Sequence, residues 1–361
     1  MSIRFQLPAL SETDYRVFNV RCAPIRIHGL YHPEEEGVFR RMPQEVADKV
    51  STKVSVLCQN PAGGRIRFRT DSSFVAIKVT YENRPYVSRV AAAIGVGGSF
   101  FFDLYADSRF VAPFFPPLQK AVHDRVVSSF DLTDGMEQRV VLGERKMRDI
   151  LIHFPSHAYV KNVWIALDAD AVLESPAPYR NELPIVFYGS SITQGSCAQR
   201  AGNSYENILS RRLNLDFCNL GFSSGCKAEE EMMRYLADLP MSAFVYDYDH
   251  NSKDADALRE SHLRGLRIFR EKNPDLPVLL LSRPNLCGGE EMTKRRIEVI
   301  LDTLRYFTDR GDRNLYFVSG QDMLFRHDPE MMTADGTHPN DFGFFCMAEA
   351  IQPVLEQIFP K

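Results

Sequence analysis

No stretch of this 361-residue sequence approaches the roughly 18 consecutive apolar residues of a membrane-spanning helix. Met1–Val20 mixes charged and apolar residues and shows no secretory pattern. An excess of one charge is missing too: 43 Lys and Arg stand against 47 Asp and Glu, a formal net charge of −4. That balance argues against nucleic acid and against a membrane surface as partners. Gly and Pro, 21 each, are at ordinary usage, which removes collagen-like and low-complexity classes. The seven cysteines (Cys22, Cys58, Cys197, Cys218, Cys226, Cys287 and Cys346) are odd in number, scattered, and form no Cys-x-x-Cys pair. Neither a zinc ribbon nor a disulfide framework is expected, and reduced thiols in a cytoplasmic protein are the natural reading.

What remains is a chain long enough for two cores. The first half carries short runs rich in β-branched and aromatic residues: Arg65–Arg69, Phe74–Tyr81, Phe100–Tyr105, Val126–Asp131, Gln138–Leu142, Asp149–Phe154 and Tyr159–Ala166. Turn signals separate them, which predicts a β-sandwich or jelly roll, with one short helical turn at Gln44–Lys49. Glu174–Pro178, with two prolines, reads as a linker. Beyond it, apolar runs at Ile185–Tyr188, Phe217–Leu220, Ala243–Tyr246, Val278–Leu281 and Leu315–Val318 alternate with helical periods at Ser204–Leu213, Ala228–Leu239, Ala255–Glu271 and Glu291–Arg310. This rhythm predicts a doubly wound parallel α/β sheet. The expected division is residues 1–178 and 179–361.

In such sheets chemistry belongs at the carboxyl ends of the strands. Tyr188–Gly195 follows the first apolar run and offers serines between glycines, which suit either a presented hydroxyl or an ordinary turn. Asp335 and His338 lie in one loop, where His338 could take a proton and Asp335 could orient its ring; Asp as a local turn former is the plainer alternative. Asn219–Gly225 is a small-residue turn whose N–H groups could face an anion. Tyr246–Asn251 ends the third run with an amide donor, although Asn251 also suits a cap. Asp247, Asp249 and His250 resemble metal ligands, but a continuing strand would turn His250 away and no further cluster completes a site.

Together, in this order, the four segments resemble the blocks of the SGNH, or GDSL-type, hydrolase family. Gly189-Ser190-Ser191 is similar to the first block, Asn219–Gly225 to the second, Asn251 to the oxyanion asparagine, and Asp335-Gly336-Thr337-His338-Pro339 to the last. Phe102-Asp103-Leu104-Tyr105 and Arg65–Ser72 resemble the N-terminal β-sandwich of a bacterial subgroup. The resemblance implies a flavodoxin-like three-layer α/β/α hydrolase domain behind a jelly-roll-like sandwich. It further implies a catalytic triad of Ser191, His338 and Asp335, and an oxyanion hole from Ser191, Ser224 or Gly225, and Asn251. The expected reaction is hydrolysis of a small-molecule acyl ester, such as an acetylated sugar, with no metal or organic cofactor. Acyl transfer through the same acyl-enzyme and non-catalytic carbohydrate binding are the alternatives, and self-association is left open. Departures are visible: Ser190 replaces the usual Asp, Ser224 the usual oxyanion glycine, Asp249-His250-Asn251 the usual Gly-x-Asn, and Phe101 a glycine.

Three further features are assigned structural roles. Gly95–Gly98 superficially matches a dinucleotide loop, but an aromatic strand pattern follows it, so a β-hairpin turn is expected. Phe114-Phe115 and Phe344-Phe345 are expected in the core or at an interface, and Cys226 as a small buried hydrophobe.

Overall fold

The computed structural model describes residues 4–7, 10–82, 95–115, 135–284, 289–324 and 329–360. In the first half the strands are β1 (Tyr15–Asn19), β2 (Arg26–His28), β3 (Arg65–Thr70), β4 (Phe74–Tyr81), β5 (Phe102–Ala106), β6 (Arg109–Phe114), β7 (Met136–Val141), β8 (Arg148–His153), β9 (Val160–Asp168) and β10 (Leu173–Glu174). They form one antiparallel sheet in the order β1-β9-β4-β7 and a second in the order β10-β3-β8-β5-β6, with β2 on β3. Side chains alternate along a strand, so Ile66 and Phe68 of β3 point inward while Arg67 and Arg69 face out. Val75, Ile77, Val79, Val163 and Ile165 of the first sheet share one core with Ile66, Phe68, Leu104, Ile150 and Ile152 of the second.

The expected run Val126–Asp131 lies outside the described residues. Gly95–Gly98 is no hairpin turn: Val96–Phe100 forms the short helix α3, after α1 (Gln44–Val50) and α2 (Thr52–Leu57). The glycines are required because α3 lies directly on another backbone. A Cβ on Gly97 would sit 2.1 Å from the Gln199 carbonyl oxygen, and one on Gly98 2.3 Å from that of Ala198. The aromatic pairs divide. Phe114 and Phe344 are fully buried, whereas Phe115 and Phe345 are exposed on the opposite side of their elements.

The second half contains β11 (Ile185–Gly189), α4 (Tyr205–Leu213), β12 (Phe217–Gly221), α5 (Glu230–Asp238), β13 (Ala243–Asp247), α6 (Ala255–Lys272), β14 (Val278–Leu281), α7 (Gly289–Thr308), β15 (Leu315–Val318), α8 (Gly320–Leu324) and α9 (Asp341–Ile358). The strands form one parallel sheet in the order β12-β11-β13-β14-β15. Every residue of β11, β13 and β14 is buried, as expected of strands covered on both faces. α4 and α9 cover one face and α5, α6 and α7 the other. Met42, Ala47, Val54 and Cys58, from in and around α1 and α2, join the core on the α5 face. The first half of the chain therefore helps close the second. Among the described residues no helix is long and apolar enough to cross a membrane.

Candidate active site

β11 ends at Gly189, where a Cβ would lie 2.0 Å from the Thr193 hydroxyl and 2.6 Å from the Asp247 carbonyl oxygen. The chain then folds into a tight loop. The Ser190 hydroxyl accepts from Ile192 N at 3.1 Å, the local bond that the commoner Asp would make. Gln194 N bonds Ser190 O at 3.0 Å and Ser196 N bonds Ser191 O at 2.9 Å. At the far end of the chain, the Asp335 carboxylate accepts from Thr337 N at 2.9 Å and His338 N at 2.8 Å, an Asx-type turn with Gly336 at φ +80°. Asn340 then caps α9 by accepting from Gly343 N at 3.0 Å.

These two loops meet. Ser191 Oγ lies 2.8 Å from His338 Nε2, and His338 Nδ1 lies 2.8 Å from Asp335 Oδ2. Burial works to raise the Asp335 pKa, but the His338 amide and ring and the Thr337 amide outweigh it, and the carboxyl ends below its ordinary value. A carboxylate accepts only, so Nδ1 carries the proton and Nε2 is left to accept from the Ser191 hydroxyl.

The small-residue turn after β12 is held by Phe222. Its N–H donates to Gly189 O at 2.9 Å, and its carbonyl accepts from Gly225 N at 2.8 Å and from Asn251 Nδ2 at 3.1 Å. The Gly225 N–H is thereby committed. Ser224, at φ +54°, occupies the left-handed conformation that explains a usual glycine there. Among the described residues neither the Ser191 nor the Ser224 N–H has an acceptor. Asn251 closes a short 3-10 turn, Asp249–Asn251, because β13 stops at Asp247. Asp247 accepts from the Thr193 and Tyr205 hydroxyls, both at 2.9 Å, and Asp249 Oδ2 from Arg283 N at 3.1 Å, while Asp249 Oδ1 is buried without a partner among the described residues. Burial, reinforced by Asp249, raises the Asp247 pKa to about 7.

Several groups around this centre escape a reading of the sequence. The His250 ring centroid is 6.5 Å from that of His338, and its Nδ1 is buried without a partner among the described residues. Burial, with the charge of Arg283, lowers its pKa to about 3, so it stays neutral. Gln194 Nε2 donates to Ser156 O at 3.2 Å, and Gln194 Oε1 accepts from Ser223 N at 2.9 Å. His157, buried and lowered to about 3 by burial, places Nε2 3.2 Å from Ser196 Oγ and Nδ1 2.7 Å from Ser156 Oγ. Arg41 donates to Asn219 O at 3.2 Å and to Gly221 O. The only signal for these contacts would have been polar residues at positions the strand pattern makes inward-facing. Cys197, Asp335 and His338 offer ligand atoms within 4.8 Å of one another. Burial, with the Asp335 charge, pushes the Cys197 thiol up to about 12, which disfavours the thiolate a metal needs. Cys226 is buried as expected.

Residues 182–356 match the model of the GDSL-like Lipase/Acylhydrolase family, and residues 15–173 match GxDLY, the N-terminus of SGNH-hydrolase-type esterases. No curated protein sequence matches the chain. A Bacteroides ovatus protein described as a GDSL-like lipase superposes with a TM-score of 0.79 at 26% identity, covering 96% of this chain and 98% of its own. The salicylyl-acyltransferase of a tetracycline biosynthetic pathway gives 0.74 at 17% identity, covering 97% and 99%. A family two carbohydrate esterase from Cellvibrio japonicus gives 0.61 at 13% identity, covering 95% and 98%.

Proposed function

Because the chain belongs to the SGNH, or GDSL-type, acyl ester hydrolases, we propose that Ser191 is its nucleophile, His338 its general base and Asp335 the group that orients His338. Attack of the Ser191 oxygen on an ester carbonyl passes its proton to His338 Nε2. The developing imidazolium is stabilised by the Asp335 carboxylate. The Ser191 and Ser224 N–H groups and the second Asn251 amide proton are the donors assigned to the oxyanion; Gly225, whose N–H serves Phe222 O, is set aside. His338 then gives its proton to the leaving alcohol and activates the water that frees the acyl-enzyme.

The observation that carries this reading is the pair of 2.8 Å contacts linking Ser191 Oγ, His338 and Asp335 Oδ2. The substrate we assign is a short acyl ester, acetyl above all, of a carbohydrate; the likeness to a carbohydrate esterase supports it. The N-terminal half, residues 1–178, is read as a β-sandwich domain that buttresses a hydrolase domain over residues 179–361. Ser191→Ala should lower hydrolysis of 4-nitrophenyl acetate by about 10⁴-fold or more while leaving the melting temperature in place. Undiminished turnover would end the proposal. A second reading follows from the likeness to an acyltransferase: with an added acceptor alcohol, acyl transfer product in excess of free acid would favour it.

A further inference from the structure

Outside the triad, guanidinium groups stand over aromatic rings at and beside the seam between the two halves. Arg200 lies 3.6 Å from the Phe110 centroid, Arg211 4.4 Å from Tyr105, Arg212 4.9 Å from Phe345 and Arg67 4.0 Å from Tyr179. A ring under the guanidinium face fixes its plane and leaves the in-plane N–H fork for an oxyanion. Arg211, Arg212, Asn203, Asp341 and Phe345 line a hollow of about 490 Å³, and Arg211 and Arg67 line a smaller one of about 60 Å³ beside it. Ser108, in the β5–β6 turn, borders both, so the two form one groove.

The donors of this groove are largely unspent. Arg67 Nη1, at the smaller hollow, is buried with no partner among the described residues. Arg211 uses Nη1 alone, on His153 Nε2 at 3.2 Å, and burial keeps that histidine neutral. Arg212 meets Glu349 and Gln352 through Nη1 alone. The acids nearby bond other groups, although the buried Asp103 Oδ1 has no partner among the described residues. Asp341 accepts from Gln199 N at 2.8 Å and Asn203 Nδ2 at 2.7 Å, Asp149 pairs with Arg69 at 3.4 Å, and the buried Asp103 bonds Gly202 N at 2.8 Å. Phe345, 40% exposed, adds an apolar face. Asp341, which lines the larger hollow, opens α9 shortly after His338 in the chain.

We propose that this groove binds the carboxylate of an acidic sugar, and that the ester presented to Ser191 is carried on a uronate-bearing glycan. The substrate assignment rests on the esterase reading above; the binding claim does not. Phe345 takes the apolar face of a sugar ring, while the Arg211 and Arg212 forks take carboxylate oxygens on the same or the next residue.

Calorimetric titration of the Ser191→Ala protein with tri-galacturonic acid, xylotriose and inorganic phosphate tests it. Tri-galacturonic acid should bind, xylotriose at least about tenfold more weakly, and phosphate more weakly than the uronate. Arg211→Ala should weaken uronate binding about tenfold or more, and Arg212→Gln, at an exposed position, should weaken it in the same direction should Arg211→Ala fail to fold. Equal binding of acidic and neutral trisaccharides, phosphate binding as tight as uronate, or affinity unmoved in either folded variant overturns the inference. Its failure is separable from that of the esterase reading, which stands or falls on Ser191→Ala turnover of 4-nitrophenyl acetate.

Discussion

The two halves of the molecule bury polar groups for different ends. In the parallel-sheet half, Ser191, His338 and Asp335 are bonded mainly to one another, and their hydrogen bonds connect the groups we propose to exchange a proton. In the N-terminal half, the polar groups that reach across hold loops in place, bonding backbone carbonyls of the other half and the Asp216 carboxylate. Arg41, 4% exposed, donates to Asn219 O, Gly221 O and Leu57 O; Arg65, 0% exposed, donates to Phe217 O and Gly63 O and pairs with Asp216. Both also stand over aromatic rings, Arg65 3.8 Å from Phe217 and Arg41 4.4 Å from Phe222. The groups proposed to react thus belong to one half, and the shape of the loops that hold them is set partly by the other.

Variants that break this contrast rank by size. His338→Ala, in the reacting half, should reduce kcat by about 10⁴-fold. Asn251→Ala should cost about 10²-fold to 10³-fold, since a single oxyanion donor is removed. His157→Ala, in the supporting half, should cost about tenfold to hundredfold in kcat with KM little changed, because it loosens Ser196 and the turn around Ser191 without removing a reacting group. A His157→Ala loss as large as that of His338→Ala would erase the distinction.

The GxDLY element supplies a stability test. Burial raises the Asp103 pKa to about 7, against the hydrogen bond from Gly202 N. A carboxyl whose folded pKa is raised contributes stability below its unfolded pKa and loses it as pH climbs through the folded value. Asp103→Asn carries no such term, so its stability relative to the parent should rise between about pH 4 and pH 7 and then level off. Melting curves at half-unit pH steps measure it. The smallest effect is expected at Ser224: Ser224→Gly relieves a left-handed backbone and should stabilise the protein by about 1 kcal/mol, read from denaturant unfolding.

The same contrast decides what could be read from the chain. Buried parallel strands are short, wholly apolar runs, and Val278–Leu281 and Leu315–Val318 are bounded in the structure as in the sequence. The strands Tyr15–Asn19, Arg26–His28, Arg109–Phe114 and Leu173–Glu174 carry too many polar or exposed residues, or are too short, to stand out from loops. Gly95–Gly98 misled because its glycines serve a contact with Ala198 and Gln199 rather than a turn. Ser191, Asp335 and His338, which the structure brings together, each sit in a loop whose local chemistry is written in consecutive positions. His157, Gln194 and Arg41 were not legible, since their partners lie in distant segments and no local pattern marks a polar side chain that will be buried by another part of the chain.

The most direct test of the central claim is covalent labelling with a fluorophosphonate, read by intact mass and peptide mapping. A single adduct should form on Ser191, at a rate that collapses in His338→Ala. An adduct on another residue, or ester hydrolysis that persists in a protein fully labelled elsewhere, would contradict that claim.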